Sequence, residues 1–192
     1  MPSRIDLLRS ELLALRYRRG DREAMGELAD LWAGPLYYYI RRFVPGEDEA
    51  LDVLQDVWVR VIRKFVRLRN PAAFPAWLFK VARSVAVSRI RRQYRQEAAE
   101  RQAAGPPRAG PEDNALTTEF GVEAVHNALH KLSTPHRECL VLHFIEGFSL
   151  QDVGWIVGAP LGTVKSRMHH AKRALRCILE QEVRGDDESK RI

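Results

Sequence analysis

Apolar residues recur at helical spacing along most of the chain, interrupted by glycine and proline, and predict an all-α protein. The sharpest pattern runs from Ser149 to Leu179. Leu150, Val153 and Val157 share one face of a first helix, with Gly154 beside them, and Ser149 with Asp152 three residues on makes a capping box at its start. Gly158-Ala159-Pro160-Leu161-Gly162 predicts a sharp turn. A second helix from about Thr163 aligns Val164, Met168, Ala171, Leu175, Ile178 and Leu179 in one stripe. At about 100° per residue, Ser166, His169, His170 and Arg173 point away from that stripe, and Lys165, Arg167, Lys172 and Arg176 flank it. No acid occurs between Val153 and Leu179. This is a helix-turn-helix pattern whose second helix has a basic, hydrogen-bonding free face. A plain helical hairpin with a solvated face carries the same pattern, so the rest of the chain has to decide.

Residues 1–19 fit a helix through Ile5, Leu8, Leu12 and Leu15. Gly20-Asp21 breaks it, and Asp21 caps a helix with Met25, Leu28, Leu31 and Trp32 on one face. Gly34-Pro35 predicts an interruption before a segment with Leu36, Tyr39, Ile40 and Phe43, and Pro45-Gly46 predicts a stop. Leu51, Leu54, Val57, Trp58, Val61, Ile62 and Phe65 then predict an amphipathic helix over 47–66. Two prolines make Arg67–Pro75 a loop. In the next helix Phe74, Trp77, Leu78, Val81 and Val85 form a core stripe, and Phe79 and Ile90 fall on the opposite side, which predicts burial on two sides. Residues 97–119 shift to Gly105-Pro106-Pro107 and Gly110-Pro111 and predict a linker. A second helical unit over 120–182 begins with Phe120, Val122, Val125, Leu129 and Leu132. It continues through Thr134-Pro135 and a helix with Leu140, Leu142, Phe144 and Ile145, and ends in the helix-turn-helix, with 183–192 as a charged tail.

Charge sharpens this division. The chain has 192 residues and a formal net charge of +6, which suits a polyanionic partner. The 47–66 helix begins acidic and ends basic, in keeping with the helix dipole. That does not account for Asp52, Gln55 and Asp56 sharing one patch, which fits a docking surface for a basic partner. From Val57 to Gln96 there are eleven bases and no acid, with Phe65, Phe74, Trp77, Phe79 and Tyr94 interleaved. Basic surface with stacking rings is what single-stranded nucleic acid requires.

Other chemistry is weakly represented. Two cysteines, Cys139 and Cys177, make no disulfide framework and point to a reducing compartment. No signal peptide and no membrane-spanning run is visible, so a cytoplasmic protein without membrane insertion is expected. No paired carboxylates, phosphate loop or nucleophile motif points to an enzyme, and no cofactor is expected. His126 and His130 are four apart but lack a third ligand, so no metal site is expected. Trp155 falls about 140° from Leu150 on its helix, and a surface tryptophan there either packs locally against the preceding hairpin or marks a place where the two units clasp each other or hold an inhibitor.

The strings GDREAMGEL, ALDVLQDVWVRVIRKF, PAAFPAWLFKVARS and SLQDVGWIVGAPLGTVKSRMHHAKRAL, in this order around a Pro-rich linker, resemble an extracytoplasmic-function sigma factor of the sigma-70 family. The likeness covers about residues 20–96 and 120–180. It implies that 1–96 is region two, a helical bundle that binds core RNA polymerase and the melted minus-ten element. It implies that 120–182 is region four, a four-helix domain that reads the minus-thirty-five element as duplex. By position, Asp52, Gln55 and Asp56 correspond to the polymerase-binding surface. Arg67, Asn70, Phe74, Lys80, Arg83, Ser84, Ser88 and Arg91 correspond to the minus-ten readers. Thr163, Lys165, Ser166, Arg167, His169, His170, Lys172 and Arg173 correspond to the minus-thirty-five readers. The family often has Asn at Ser84, Asp or Asn at Ser88, and Arg at His170. The implied partners are core polymerase and promoter DNA, duplex and melted, with an anti-sigma factor left open. The competing reading is a helix-turn-helix regulator that binds duplex DNA without polymerase.

Overall fold

A computed structural model describes residues 3–44, 46–103, 128–129 and 131–189. Among these residues there are seven α-helices and no strand. The first unit comprises α1 (Arg4–Arg18), α2 (Glu23–Ile40), α3 (Glu47–Lys64) and α4 (Phe74–Ala103). The second comprises α5 (Thr134–Leu140), α6 (Leu150–Val157) and α7 (Leu161–Ser189). Short 3-10 turns at Phe65–Arg67 and Pro71–Ala73 link α3 to α4, and a π-helical turn at Val141–Ile145 extends α5.

The predicted helix starts are built as local chemistry requires. Asp21 Oδ1 accepts from the amides of Glu23 and Ala24 at 3.1 and 3.4 Å. Ser149 Oγ accepts from the Asp152 amide at 3.1 Å and donates to its carboxylate at 2.6 Å. These contacts satisfy donors that a helix leaves open at its first turn.

Several expectations are corrected. The Ile5, Leu8, Leu12 stripe faces solvent, and Ser10, Leu13 and Ala14 form the buried side of α1. The small Ser10 and Ala14 let α2 come close, and Trp32 Nε1 donates to Ser10 Oγ at 2.7 Å. Gly34-Pro35 does not break α2, which runs through Pro35. Leu28, Trp32, Leu36, Tyr39 and Ile40 are buried on both sides of the proline, and that packing outweighs the roughly 3 kcal/mol an internal proline costs. The buried face of α3 is rotated toward Ala50 and Val53, leaving Leu51 and Ile62 about half exposed. The linker expected from 97 starts later, because α4 continues to Ala103 through good helix formers before Gly105. The rest of the linker, His126, His130 and the Phe120–Val125 face lie outside the described residues. The π turn carries Phe144 out to solvent, while Val141 and Leu142 stay inside. The tail expected from 183 is helical to Ser189.

Both faces of α4 are buried, as the sequence predicts. Phe74, Leu78, Ala82 and Val85 pack in the first unit. Phe79, fully buried, lies against Trp32, Tyr39 and Phe148, with ring centroids at 6.1, 5.1 and 5.0 Å. Phe148 comes from the second unit, so the core is continuous across both.

Gly154 of α6 sits where a Cβ would meet the Ala159 carbonyl oxygen at 2.9 Å. Gly154→Ala should therefore destabilise the turn by about 1–3 kcal/mol, read as a lower urea midpoint; an unchanged midpoint would show that the turn gives way freely. Glu146, 4% exposed, lines a cavity of 360 Å³ with Trp32, Pro35, Tyr38 and Arg42. Burial pushes its carboxyl up to about 7, against the pull of the Arg42 guanidinium. Between its ordinary value of 4.5 and about 7 the folded protein holds a proton the unfolded chain releases, so stability falls as pH rises through that window, by about 3 kcal/mol in all. Glu146→Gln should flatten the thermal midpoint over that range, and an unchanged slope would remove Glu146 as its source.

Candidate nucleic-acid interface

Three surfaces carry the residues expected to act. The first is on α3. Asp52, Gln55 and Asp56 are exposed together on the face turned away from Val53 and Val57. Asp52 is 65% exposed and lies 3.6 Å from Arg89 of α4, which also approaches Glu49 at 3.4 Å. The pairing ties one edge of the acidic patch to α4 and leaves Gln55 and Asp56 open.

The second surface is the loop before α4 and the helix behind it. The loop is held in a single shape. Arg18 Nη2, from the end of α1, donates to the Leu68 carbonyl at 2.6 Å and the Arg69 carbonyl at 2.9 Å. Asn70 Oδ1 accepts from the Ala72 amide at 3.1 Å, and Pro71 opens the following turn. Leu68 and Phe74 point inward, leaving Val66, Arg67, Arg69 and Asn70 on the rim. Phe74 is fully buried against Phe65 and Trp77, with centroids 6.1 Å away in both cases. Its ring is therefore part of the core, as the stripe through Phe74 and Trp77 predicts, and it does not lie on the loop's exposed rim with the other residues expected to read the strand. Along α4, Ser84, Ser88 and Arg91 are exposed, and the Ser88 hydroxyl donates back to the Ser84 carbonyl at 2.7 Å. Lys80 and Arg83 are engaged elsewhere. Lys80 Nζ lies 3.9 Å from the centroid of the Trp155 ring, and burial lowers its pKa. Arg83 Nε donates to Glu138 Oε1 at 2.6 Å.

The third surface is α7. Val164, Met168 and Ala171 are buried and Leu175 and Ile178 half-buried, as the spacing predicts. Thr163, Lys165, Ser166, His169, His170, Lys172 and Arg173 are exposed on the other side. Gly158, with φ at +68°, turns the chain between α6 and α7 and brings this face outward. Within it the roles differ. Arg167 is half-buried and reaches Cys139 of α5, whose thiol pKa burial raises. His170 stacks on His136, centroids 6.4 Å apart, and Lys172 Nζ sits 4.8 Å over the Phe144 ring. Lys165, Ser166 and Arg173 are exposed beside them, and His169 meets the His170 ring edge-to-face at 5.6 Å.

Four further side chains hold these surfaces in place: Arg18, Arg89 and Glu138, to which the sequence reading gave no role, and Tyr39, which it placed on an apolar face. Glu138 is 2% exposed and accepts from both Arg83 and the Tyr39 hydroxyl, the latter at 3.0 Å. Burial first, then the Glu138 charge, pushes the Tyr39 pKa well above its ordinary value, so the phenol remains a donor. The one signal for Glu138 is an acid set directly before the apolar run Cys139-Leu140-Val141-Leu142.

Comparison with known proteins bears on all three surfaces. Residues 28–96 match the family model of sigma-70 region 2, and residues 122–175 match that of sigma-70 region 4. The chain is 26% identical over 170 residues to the ECF RNA polymerase sigma factor SigW of Bacillus subtilis, covering 83% of this chain and 90% of that one. It is 29% identical over 166 residues to the RNA polymerase sigma factor CarQ of Myxococcus xanthus, covering 85% and 94%. Among solved structures it is similar to the sigma factor RpoE of Bartonella quintana in complex with the anti-sigma factor NepR, with a TM-score of 0.67, 25% identity and 81% and 96% coverage. It is also similar to CnrH in complex with the cytosolic domain of CnrY, with a TM-score of 0.66, 26% identity and 90% and 98% coverage. The order of the helices, the two matched regions and these relatives agree: the chain belongs to the extracytoplasmic-function RNA polymerase sigma factors of the sigma-70 family.

Proposed function

We propose that this chain binds core RNA polymerase and directs transcription initiation at promoters of its own. In this reading α3 docks on polymerase through Asp52, Gln55 and Asp56. The loop Arg67–Phe74 and the exposed edge of α4, with Lys80, Arg83, Ser84, Ser88 and Arg91, read the melted minus-ten strand. The outward face of α7, from Thr163 to Arg173, reads the minus-thirty-five duplex. The observation that carries this is the presence in one chain of two basic surfaces of different shape. One is a convex helix at a tight turn, suited to a major groove. The other is a fixed loop against a basic helix, suited to bases already out of the stack. Phe74, being core, supports the loop from behind, and the base contacts fall to the rim residues Arg67 and Asn70. The anti-sigma factor NepR, bound to the similar RpoE of Bartonella quintana, makes an anti-sigma protein a further expected partner.

Run-off transcription with core polymerase and a promoter from the protein's own operon tests the reading. The account expects a specific transcript; specific duplex binding with no polymerase dependence would favour a stand-alone regulator instead. Replacing Asp52 and Asp56 with Arg should weaken binding to core without lowering the melting temperature, and unchanged binding would move the docking surface elsewhere. Arg173→Ala should cost about 1–3 kcal/mol of duplex affinity if it reads a base edge, with the loss confined to one position of the site. Lys165→Ala should instead weaken all sequences alike and lower the salt slope by about one. Arg18 enters as a positioning residue. Arg18→Ala frees the Leu68 and Arg69 carbonyls, so it should relax base preference in a minus-ten library while leaving duplex affinity alone. An unchanged preference would mean the loop keeps its shape without Arg18.

A further inference from the structure

The cavity beside Glu146 is lined by two polar groups that the chain leaves unpaired. Glu146 follows the π-helical turn, and its amide donates to the Val141 carbonyl, five residues back, at 3.0 Å. That wider turn sends Phe144 outward, 44% exposed, and Glu146 inward. The Glu146 carboxylate is buried and makes no hydrogen bond or close ion pair among the described residues. Arg42, just past the end of α2, donates through Nη1 to the Tyr38 carbonyl at 2.8 Å, and its Nε is buried with no acceptor among the described residues. Trp32, Pro35, Tyr38 and Ile145 line the same 360 Å³ space. A buried carboxylate and a buried N–H each cost free energy when unpaired. A ligand that donates to one and accepts from the other recovers both costs.

The lining selects the occupant. The volume lies at the small end of the range for organic ligands. A metal ion would need more donors, and no group of three His, Cys, Asp or Glu side chains suited to one occurs among the described residues. An anion would meet the Glu146 carboxylate. Asp6, the other acid at this cavity, is already engaged, since its Oδ2 accepts from the Ser3 amide at 2.7 Å and the Ser3 hydroxyl at 2.8 Å. What remains is one carboxylate without a donor, one N–H without an acceptor, and aromatic and apolar surface beside them. An ammonium matches the first, an uncharged oxygen the second, and a flat apolar body the rings of Trp32 and Tyr38.

We propose that this cavity binds a small aromatic amine, with Glu146 as the counter-ion of its ammonium group and Arg42 Nε as donor to an oxygen on its ring. Binding requires the ionised carboxylate. Burial pushes the Glu146 carboxyl up to about 7, against the pull of the Arg42 guanidinium, so an entering ammonium displaces a proton. Arg42 and Asp6 are the other charged groups that line the cavity. An alkylammonium keeps its charge well above neutrality, so affinity rises with pH as Glu146 ionises. From about pH 6 to about pH 8 the ionised fraction grows about tenfold, and the apparent affinity follows it.

The probe is tyramine, titrated by calorimetry into the full chain. The comparison ligands are para-ethylphenol, the same body without the ammonium, and para-hydroxyphenylacetate, which carries a carboxylate in its place. Tyramine should bind with a Kd of about 1 mM or tighter, a reasonable affinity for a ligand of about ten heavy atoms. Para-ethylphenol should bind at least about tenfold more weakly, and para-hydroxyphenylacetate more weakly still. Glu146→Gln should remove both the rise with pH and the preference for the amine. Gly34 also lines the cavity, and a Cβ there would meet nothing within 4 Å, so Gly34→Leu fills the space without crowding α2. This second variant keeps the proposal testable if Glu146→Gln alters the fold; it should abolish tyramine binding while the melting temperature holds. No binding of tyramine, equal binding of para-ethylphenol, or undiminished binding by Gly34→Leu would overturn the site.

Discussion

The two-sided burial of α4 is the constraint on which the rest depends. Its inner side, Phe74, Leu78, Ala82 and Val85, closes the bundle of α1, α2 and α3. Its other side offers Phe79 to Trp32, Tyr39 and Phe148, so the ring that completes one region's core also receives the other region. A polar joint lies beside this aromatic cluster. Glu138 gives up its hydration to reach Arg83 and Tyr39, and such a buried pair adds little net stability because desolvation offsets attraction. What it adds is register: losing either partner would leave a buried group unsatisfied, so region four has one favoured seat on α4.

The loop before α4 and the joint between the two regions are held by different kinds of contact. The loop is held by backbone carbonyls on Arg18, by Asn70 as an internal cap, and by Leu68 and Phe74 anchored in the core. Nothing in that arrangement has to move for a base to meet the rim. The joint, by contrast, combines an edge-to-face ring contact, a cation over a ring and charge-assisted hydrogen bonds with apolar burial continuous with both cores. The ring and cation–ring contacts are individually small, on the order of 1 kcal/mol, so the apolar burial around Phe79 and Phe148 carries most of the joint.

Much of this was legible in the sequence because burial enforces periodicity. The α7 stripe, the two-sided α4, the caps at Asp21 and Ser149 and the turn at Gly158 are all local patterns, and each was found where expected. The misreadings have one source. The face of a helix is chosen by its neighbours, and α1 has apolar residues on two sides. The smaller side, with Ser10 and Ala14, faces inward because it admits Trp32, and the Ile5, Leu8, Leu12 stripe is left outside. Pro35 was read as a break because its local cost is visible and the packing that overrides it is not. In the candidate site, the exposure of Lys165, Ser166, His169 and Arg173 on α7 and of the acidic patch on α3 followed from periodicity, as did the core place of Phe74. The anchoring by Arg18 and the burial of Glu138 did not, since each depends on a residue 50 or 55 positions away in sequence.

The central claim is that one chain brings polymerase to a duplex and then holds the opened strand. Permanganate probing of a promoter from the protein's own operon addresses it directly. The account predicts reactive thymines across the minus-ten region only when both the protein and core polymerase are present. Protection of duplex by the protein alone, with no reactive thymines after core polymerase is added, would contradict it.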